Sequence, residues 1–97
     1  MALKPKYKEQ LLAIIHKHVP GCAVYLFGSR AINAEQLGSD IDIAIDYGVP
    51  VDFKKILKIL CDIDETTIPL MVDIVDIQTA PDELKEAIFQ EGIKWTN

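Results

Sequence analysis

Residues Gly28 to Asp46 read GSRAINAEQLGSDIDIAID, and the final DIDIAID decides the fold. Ile41, Ile43 and Ile45 share one parity; Asp40, Asp42 and Asp46 share the other with Ala44. Successive side chains on a strand point to opposite faces. Residues 39–46 therefore read as a strand with one face in a core and the other loaded with negative charge. Like charges held close together destabilise a fold, so something positive is expected to visit the acidic face.

On that face Asp40 and Asp42 lie two residues apart, with Cα atoms roughly 6.5–7 Å from each other. Their carboxylates can converge on ions lying between them, and hard oxygen donors suit Mg²⁺ or Mn²⁺. A calcium loop is excluded: it needs glycine at its sixth position and glutamate at its twelfth, and it tolerates no isoleucine ladder. Upstream, CAVYLF (22–27) reads as a strand ending in Gly28-Ser29. A glycine followed by a hydroxyl residue allows backbone N–H groups to approach a phosphate and form an anion nest. A helical turn starting there would add its dipole. Alone, the acidic pair fits an exposed strand face and Gly-Ser fits a turn. Together they put a phosphate cradle at the end of one strand and a metal-binding pair on the next, the minimum for chemistry on a metal–nucleoside triphosphate.

Further out, Pro5, Tyr7, Leu11, Ile14/Ile15 and His18 form a helical stripe stopped by Pro20-Gly21. Residues 30–38 form a connection with one helical turn. Phe53, Ile56, Leu57 and Leu60 predict a second helix, and LMVDIVDI (70–77) a third strand. A last helix is predicted with Thr79 as cap, Asp82 completing a capping box, Leu84 and Ala87/Ile88 inward, and Gly92 at its stop. The order αββαβα predicts an α/β (α+β) domain, a small mixed sheet with helices mainly on one face. His16 and His18 point to different sides of their helix and are read as structural. Cys22 and Cys61 lie in apolar stretches and are read as reduced core residues. Lys94 and Trp95 fit core or partner contact.

Ninety-seven residues are expected to make one small domain, 1–97. The composition is 49% hydrophobic and 26% charged, with net charge −5. That balance argues against general affinity for nucleic acid or anionic lipid. The start MALKPKYKEQ has no apolar signal core, and no apolar run reaches a membrane span, so a cytoplasmic setting is expected.

GSRAINAEQLGSDIDIA resembles the G-S-x10-D-x-D pattern of the nucleotidyltransferase superfamily that includes DNA polymerase beta. VDIVDI…A…ELKEAIFQEG is similar to the tail of its minimal nucleotidyltransferase (MNT) branch; the likeness spans about Val24 to Gly92. It implies that fold, with Gly28 and Ser29 binding a triphosphate such as ATP and Asp40 and Asp42 holding two Mg²⁺ ions. Asp73 matches the third metal carboxylate and the activator of the acceptor hydroxyl. Arg30 is a candidate for neutralising phosphate charge, with an ordinary surface arginine as the alternative. Asn33 stands where the branch commonly has glycine; asparagine also tolerates the left-handed backbone region. Within VDIVD, residues 73 and 76 cannot share a face of a regular strand. Asp73 is assigned to the acidic face, and Asp76 to a turn or helix start. The branch further implies a HEPN-type helical partner whose tyrosine receives AMP, an antitoxin role. Two other readings fit the motif: a nucleotide-binding module that neutralises its partner by contact, and a small-molecule nucleotidyltransferase.

Overall fold

Proline at the first helical position starts α1 (Pro5–His18), where its fixed φ suits a helix and its missing N–H is not needed. His16, Lys17 and His18 in its last turn complement the helix dipole. The computed structural model describes residues 3–96. After α1 come β1 (Ala23–Phe27), β2 (Ile41–Asp46), α2 (Phe53–Asp64), β3 (Val72–Asp76), α3 (Asp82–Glu91) and the short β4 (Ile93–Lys94). Single 3-10 turns at Gly28–Arg30 and Ile77–Thr79 follow β1 and β3.

The sheet runs β3-β2-β1-β4. β1 pairs antiparallel with β2 and with β4, whereas β2 and β3 are parallel, with α2 as their crossover. It is a mixed sheet, as the sequence predicted. Ile41, Ile43 and Ile45 are fully buried with Val24 and Leu26 beneath α1 and α2, against Leu11, Ile15, Ile59 and Ile63. Each such side chain stabilises the fold by about 1.5–3 kcal/mol. A one-residue slip of β2 would drive aspartates into that layer, so the register is firmly set.

On the opposite face Ala44, Ile77 and Ile88 make a smaller core with Tyr25, Phe27 and Leu84. Thus α1 and α2 cover the isoleucine face, while α3 closes the Ala44 end of the acidic face. Asp42 and Asp73 lie beyond that covered end.

Several local expectations are corrected. In α2 the inward stripe is Ile56, Ile59 and Ile63, while Phe53 and Leu57 are exposed. Those two lie about 60° and 100° around the axis from Ile56, off the buried stripe. Cys61 is exposed on the same helix. Cys22 is buried, and burial pushes its thiol from 9.0 up to about 11, which leaves it protonated and unreactive near neutrality. Thr79 does not cap α3: its hydroxyl donates to the Asp76 carbonyl at 3.3 Å, and Pro81 occupies the N-cap. Ala87 is exposed.

Gly92 does stop α3, but in extended backbone rather than a left-handed cap. A Cβ there would strike the Ile88 carbonyl and lie 3.3 Å from the Leu26 carbonyl. Glycine therefore lets the chain turn tightly against β1 and form β4, which the sequence did not reveal. Trp95 donates its N–H to the Val24 carbonyl at 2.8 Å and packs against the main core, whereas Lys94 is exposed. Both histidines are structural. His16 Nε2 lies 3.0 Å from the Cys22 carbonyl, and His18 Nε2 lies 2.7 Å from Asp62 Oδ2, joining α1 to α2.

Candidate functional site

The site forms where β1 ends and β2 begins. Phe27, the last residue of β1, is paired with Asp42. Gly28 then takes φ +74°, a conformation that favours glycine. A Cβ at this position would collide with the Asp42 carboxylate, its Cγ only 3.2 Å away. Gly28 is thus required twice, by its backbone conformation and by the side chain packed against it. The turn at Gly28–Arg30 is closed by the Ala31 N–H donating to the Gly28 carbonyl at 3.1 Å. The Ala34 N–H donates to the Ser29 carbonyl at 2.8 Å. Between them Asn33 has φ +58°, the left-handed conformation its side chain was expected to tolerate.

Parallel pairing places Asp73 directly beside Asp42. Residues opposite each other on neighbouring strands present side chains to the same face, so β3 adds a carboxylate to the acidic surface of β2. Asp40 stands just before β2 and is exposed; Asp42 is half-buried and Asp73 exposed. Burial first, then the charges of Asp73 and of Asp40, raise the Asp42 carboxyl above its ordinary value. Among the described residues none of the three has an ion-pair partner. Nor, among those residues, do three His, Cys, Asp or Glu side chains already converge as a ligand set. The structure provides an adjacent pair, Asp42 and Asp73, with Asp40 two residues before Asp42. These hard oxygen donors, uncompensated by lysine or arginine, fit a divalent cation.

The other two aspartates of β2 and β3 have structural bonds. Asp46 accepts from the Gly48 N–H and from Gln78 Nε2, each at 2.9 Å. Asp76 is buried and accepts from the Val51 N–H at 2.8 Å and the Gln78 N–H at 3.0 Å. Its turn role was legible, but its bond to Val51 crosses from β3 to the loop before α2.

Arg30 lies at the end of the turn after β1. Its Nε and Nη2 donate to the Ser39 carbonyl at 3.2 and 2.8 Å, a contact that sequence reasoning missed. Nothing in the residue pattern signals it, because it is a long side chain reaching backbone nine residues away. Beside the turn after β1, Phe27, Ile32, Leu84 and Ala87 line an open groove of about 440 Å³ that includes Gly28 and Ser29.

The family model described as "Polymerase beta, Nucleotidyltransferase" matches residues 9–95. A relative from Haemophilus influenzae, "Probable protein adenylyltransferase MntA", is 32% identical over 75 residues, 77% of this chain and 66% of the relative. The chain thus spans just under two thirds of that relative's length. The fold also resembles a chain of a toxin–antitoxin crystal structure with AMP-PNP. Their TM-score is 0.79 and their identity 23%, over 93% of this chain and 73% of the other. A chain from a structure of tri-AMPylated Shewanella oneidensis HEPN toxin in complex with MNT antitoxin gives a TM-score of 0.70 at 22% identity. That match covers 98% of this chain and 74% of the other. With the family match running from α1 through β4 and holding both the glycine turn and the paired carboxylates, the chain belongs to the polymerase beta nucleotidyltransferase family, as a minimal member.

Proposed function

We propose that this protein is a nucleotidyltransferase that moves AMP from ATP to a hydroxyl group, the acceptor being a tyrosine of a HEPN-type partner protein. The observation that carries the reading is the pairing of Asp42 with Asp73 beneath Gly28, which brings uncompensated acids against a phosphate-compatible turn. Similarity to a probable protein adenylyltransferase and to a chain from a complex of AMPylated HEPN toxin with MNT antitoxin supports AMP as the transferred group and a protein as acceptor.

In this reading the turn at Gly28 and Ser29 receives the β- and γ-phosphates through backbone N–H groups and the Ser29 hydroxyl. Asp40, Asp42 and Asp73 would hold two Mg²⁺ ions. When bound, such ions neutralise charge on the triphosphate and lower the pKa of an acceptor hydroxyl. Asp73, exposed on β3 beside Asp42, accepts the acceptor's proton. A bond forms between the acceptor oxygen and the α-phosphorus, the bond from that phosphorus to the β-bridging oxygen breaks, and pyrophosphate leaves. Catalysis here is positioning and electrostatics, which suits a small scaffold. Antitoxin action by covalent modification and a cytoplasmic setting belong to the same proposal.

ATP labelled on the α-phosphate or the γ-phosphate tests the reaction type. Incubation with Mg²⁺ and the HEPN-type partner should transfer the α-label to the partner and leave the γ-label in pyrophosphate. Transfer of the γ-label would identify a phosphoryl transferase. Neutralisation of the partner with neither label transferred would identify a binding module.

A further inference from the structure

We propose that Arg30 is a positioning residue that ties the phosphate turn to the acidic strand, rather than a phosphate ligand; the inference rests on the nucleotidyl-transfer reading above. Arg30 belongs to the same 3-10 turn as Gly28 and Ser29. The edge of its guanidinium formed by Nε and Nη2 grips one acceptor, the Ser39 carbonyl, at 3.2 and 2.8 Å. That is one of the edges a guanidinium uses to clasp a phosphate, and here it is occupied by backbone.

The gripped residue immediately precedes Asp40. Ser39 is also held from its other side: its N–H donates to the Gln36 carbonyl at 3.0 Å, and its Oγ accepts from the Gln36 N–H at 2.8 Å. Two residues on, the Ile41 N–H donates to the Met71 carbonyl at 2.8 Å, beginning the β2–β3 ladder that aligns Asp42 with Asp73. Asn33, Ala34, Gln36, Leu37 and Gly38 are exposed, so little burial fixes the intervening loop. Arg30 is the side chain that spans it. Its grip sets where the Asp40 carboxylate stands relative to Asp42 and the turn.

The test compares Arg30→Lys and Arg30→Gln with the unaltered chain. Lysine keeps the charge and loses the two-point grip, while glutamine loses both the charge and the grip. AMP transfer to the HEPN-type partner gives kcat and KM for ATP, and Mn²⁺ titration of the chain without nucleotide gives an independent readout. A positioning role lowers kcat by about 10- to 100-fold in both variants, since small misplacements of reacting groups are costly. It leaves KM for ATP within about threefold. Mn²⁺ binding weakens by about tenfold in both, as when the support of a metal ligand is removed. A raised KM with unchanged kcat, restored by lysine, would make Arg30 a phosphate ligand and overturn the proposal. Unchanged kcat and KM in both variants would overturn it too. If the unaltered chain transfers nothing to the partner, the functional reading fails. The Mn²⁺ titration then decides for Arg30: tenfold weakening supports it, and unchanged binding overturns it.

Discussion

Asp42 concentrates the tension of the site. It is half-buried, backed by Gly28, and flanked by Asp73 and Asp40, all without a cation among the described residues. Two carboxylates about 5–6 Å apart repel by on the order of 3 kcal/mol at an effective dielectric of about 20. Solvent access reduces that to a fraction. Because the folded state raises the Asp42 carboxyl, its charged form opposes folding; its unfavourable contribution fades as pH falls through the raised value. Asp42→Asn should therefore abolish transfer yet raise the melting temperature of the metal-free protein. A lower melting temperature would make the carboxylate a structural acceptor instead. Asp73 and Asp76 separate the same way. Asp73→Asn should remove most transfer with little change in stability. Asp76→Asn should keep most transfer but cost about 1–3 kcal/mol, because a buried carboxylate accepting two N–H bonds is replaced by an amide. Urea unfolding and transfer assays on the pair check this, and equal loss of activity in both would contradict it. At this scale the pairing of Asp42 with Asp73 was legible because parity sets Asp73 and Asp76 on opposite faces and the apolar neighbours Val72 and Ile74 turn Asp73 to the acidic one. The Val51 and Arg30 contacts were not, because they join segments brought together only by the fold.

Among the elements, those with clear periodicity were legible and those defined by tertiary contact were not. α1, β1, β2, α2, β3 and α3 emerge from apolar spacing and glycine or proline punctuation. β4 has two residues, too few for a pattern, and exists because Gly92 brings the chain against β1. The capping motif at Thr79 misled because β3 runs into a 3-10 turn that claims the threonine hydroxyl. The α2 stripe misled because Phe53 and Leu57 share the helical spacing but not the buried side. Between α1 and α2 the contact is partly electrostatic: the hydrogen bond from His18, aided by the Lys17 charge, holds the Asp62 carboxyl below its ordinary 3.8. Stability from this contact is present above 3.8 and lost as pH falls through the lowered value. Urea midpoints measured down the acid range should fall less steeply for Asp62→Asn than for the unaltered chain. Identical slopes would show that the contact does not contribute.

For the whole molecule, the fold of three helices and a four-stranded sheet among the described residues buries the isoleucine face of β2, which fixes its register between β1 and β3. Among the described residues no helix is long and apolar enough to cross a membrane. Mg²⁺ with ATP should stabilise the protein by roughly 2.7 kcal/mol when ligand stands near 100 times its dissociation constant, and EDTA should remove most of that gain. A melting temperature indifferent to ATP across several Mg²⁺ concentrations would contradict it. The most direct measurement is the intact mass of the HEPN-type partner after incubation with Mg²⁺, ATP and either the unaltered chain or Asp42→Asn. The expected result is a gain of whole AMP units, mapped to tyrosine, with the unaltered chain and none with Asp42→Asn. An unmodified partner in both reactions, or equal modification by both proteins, would contradict catalysis by this acidic pair.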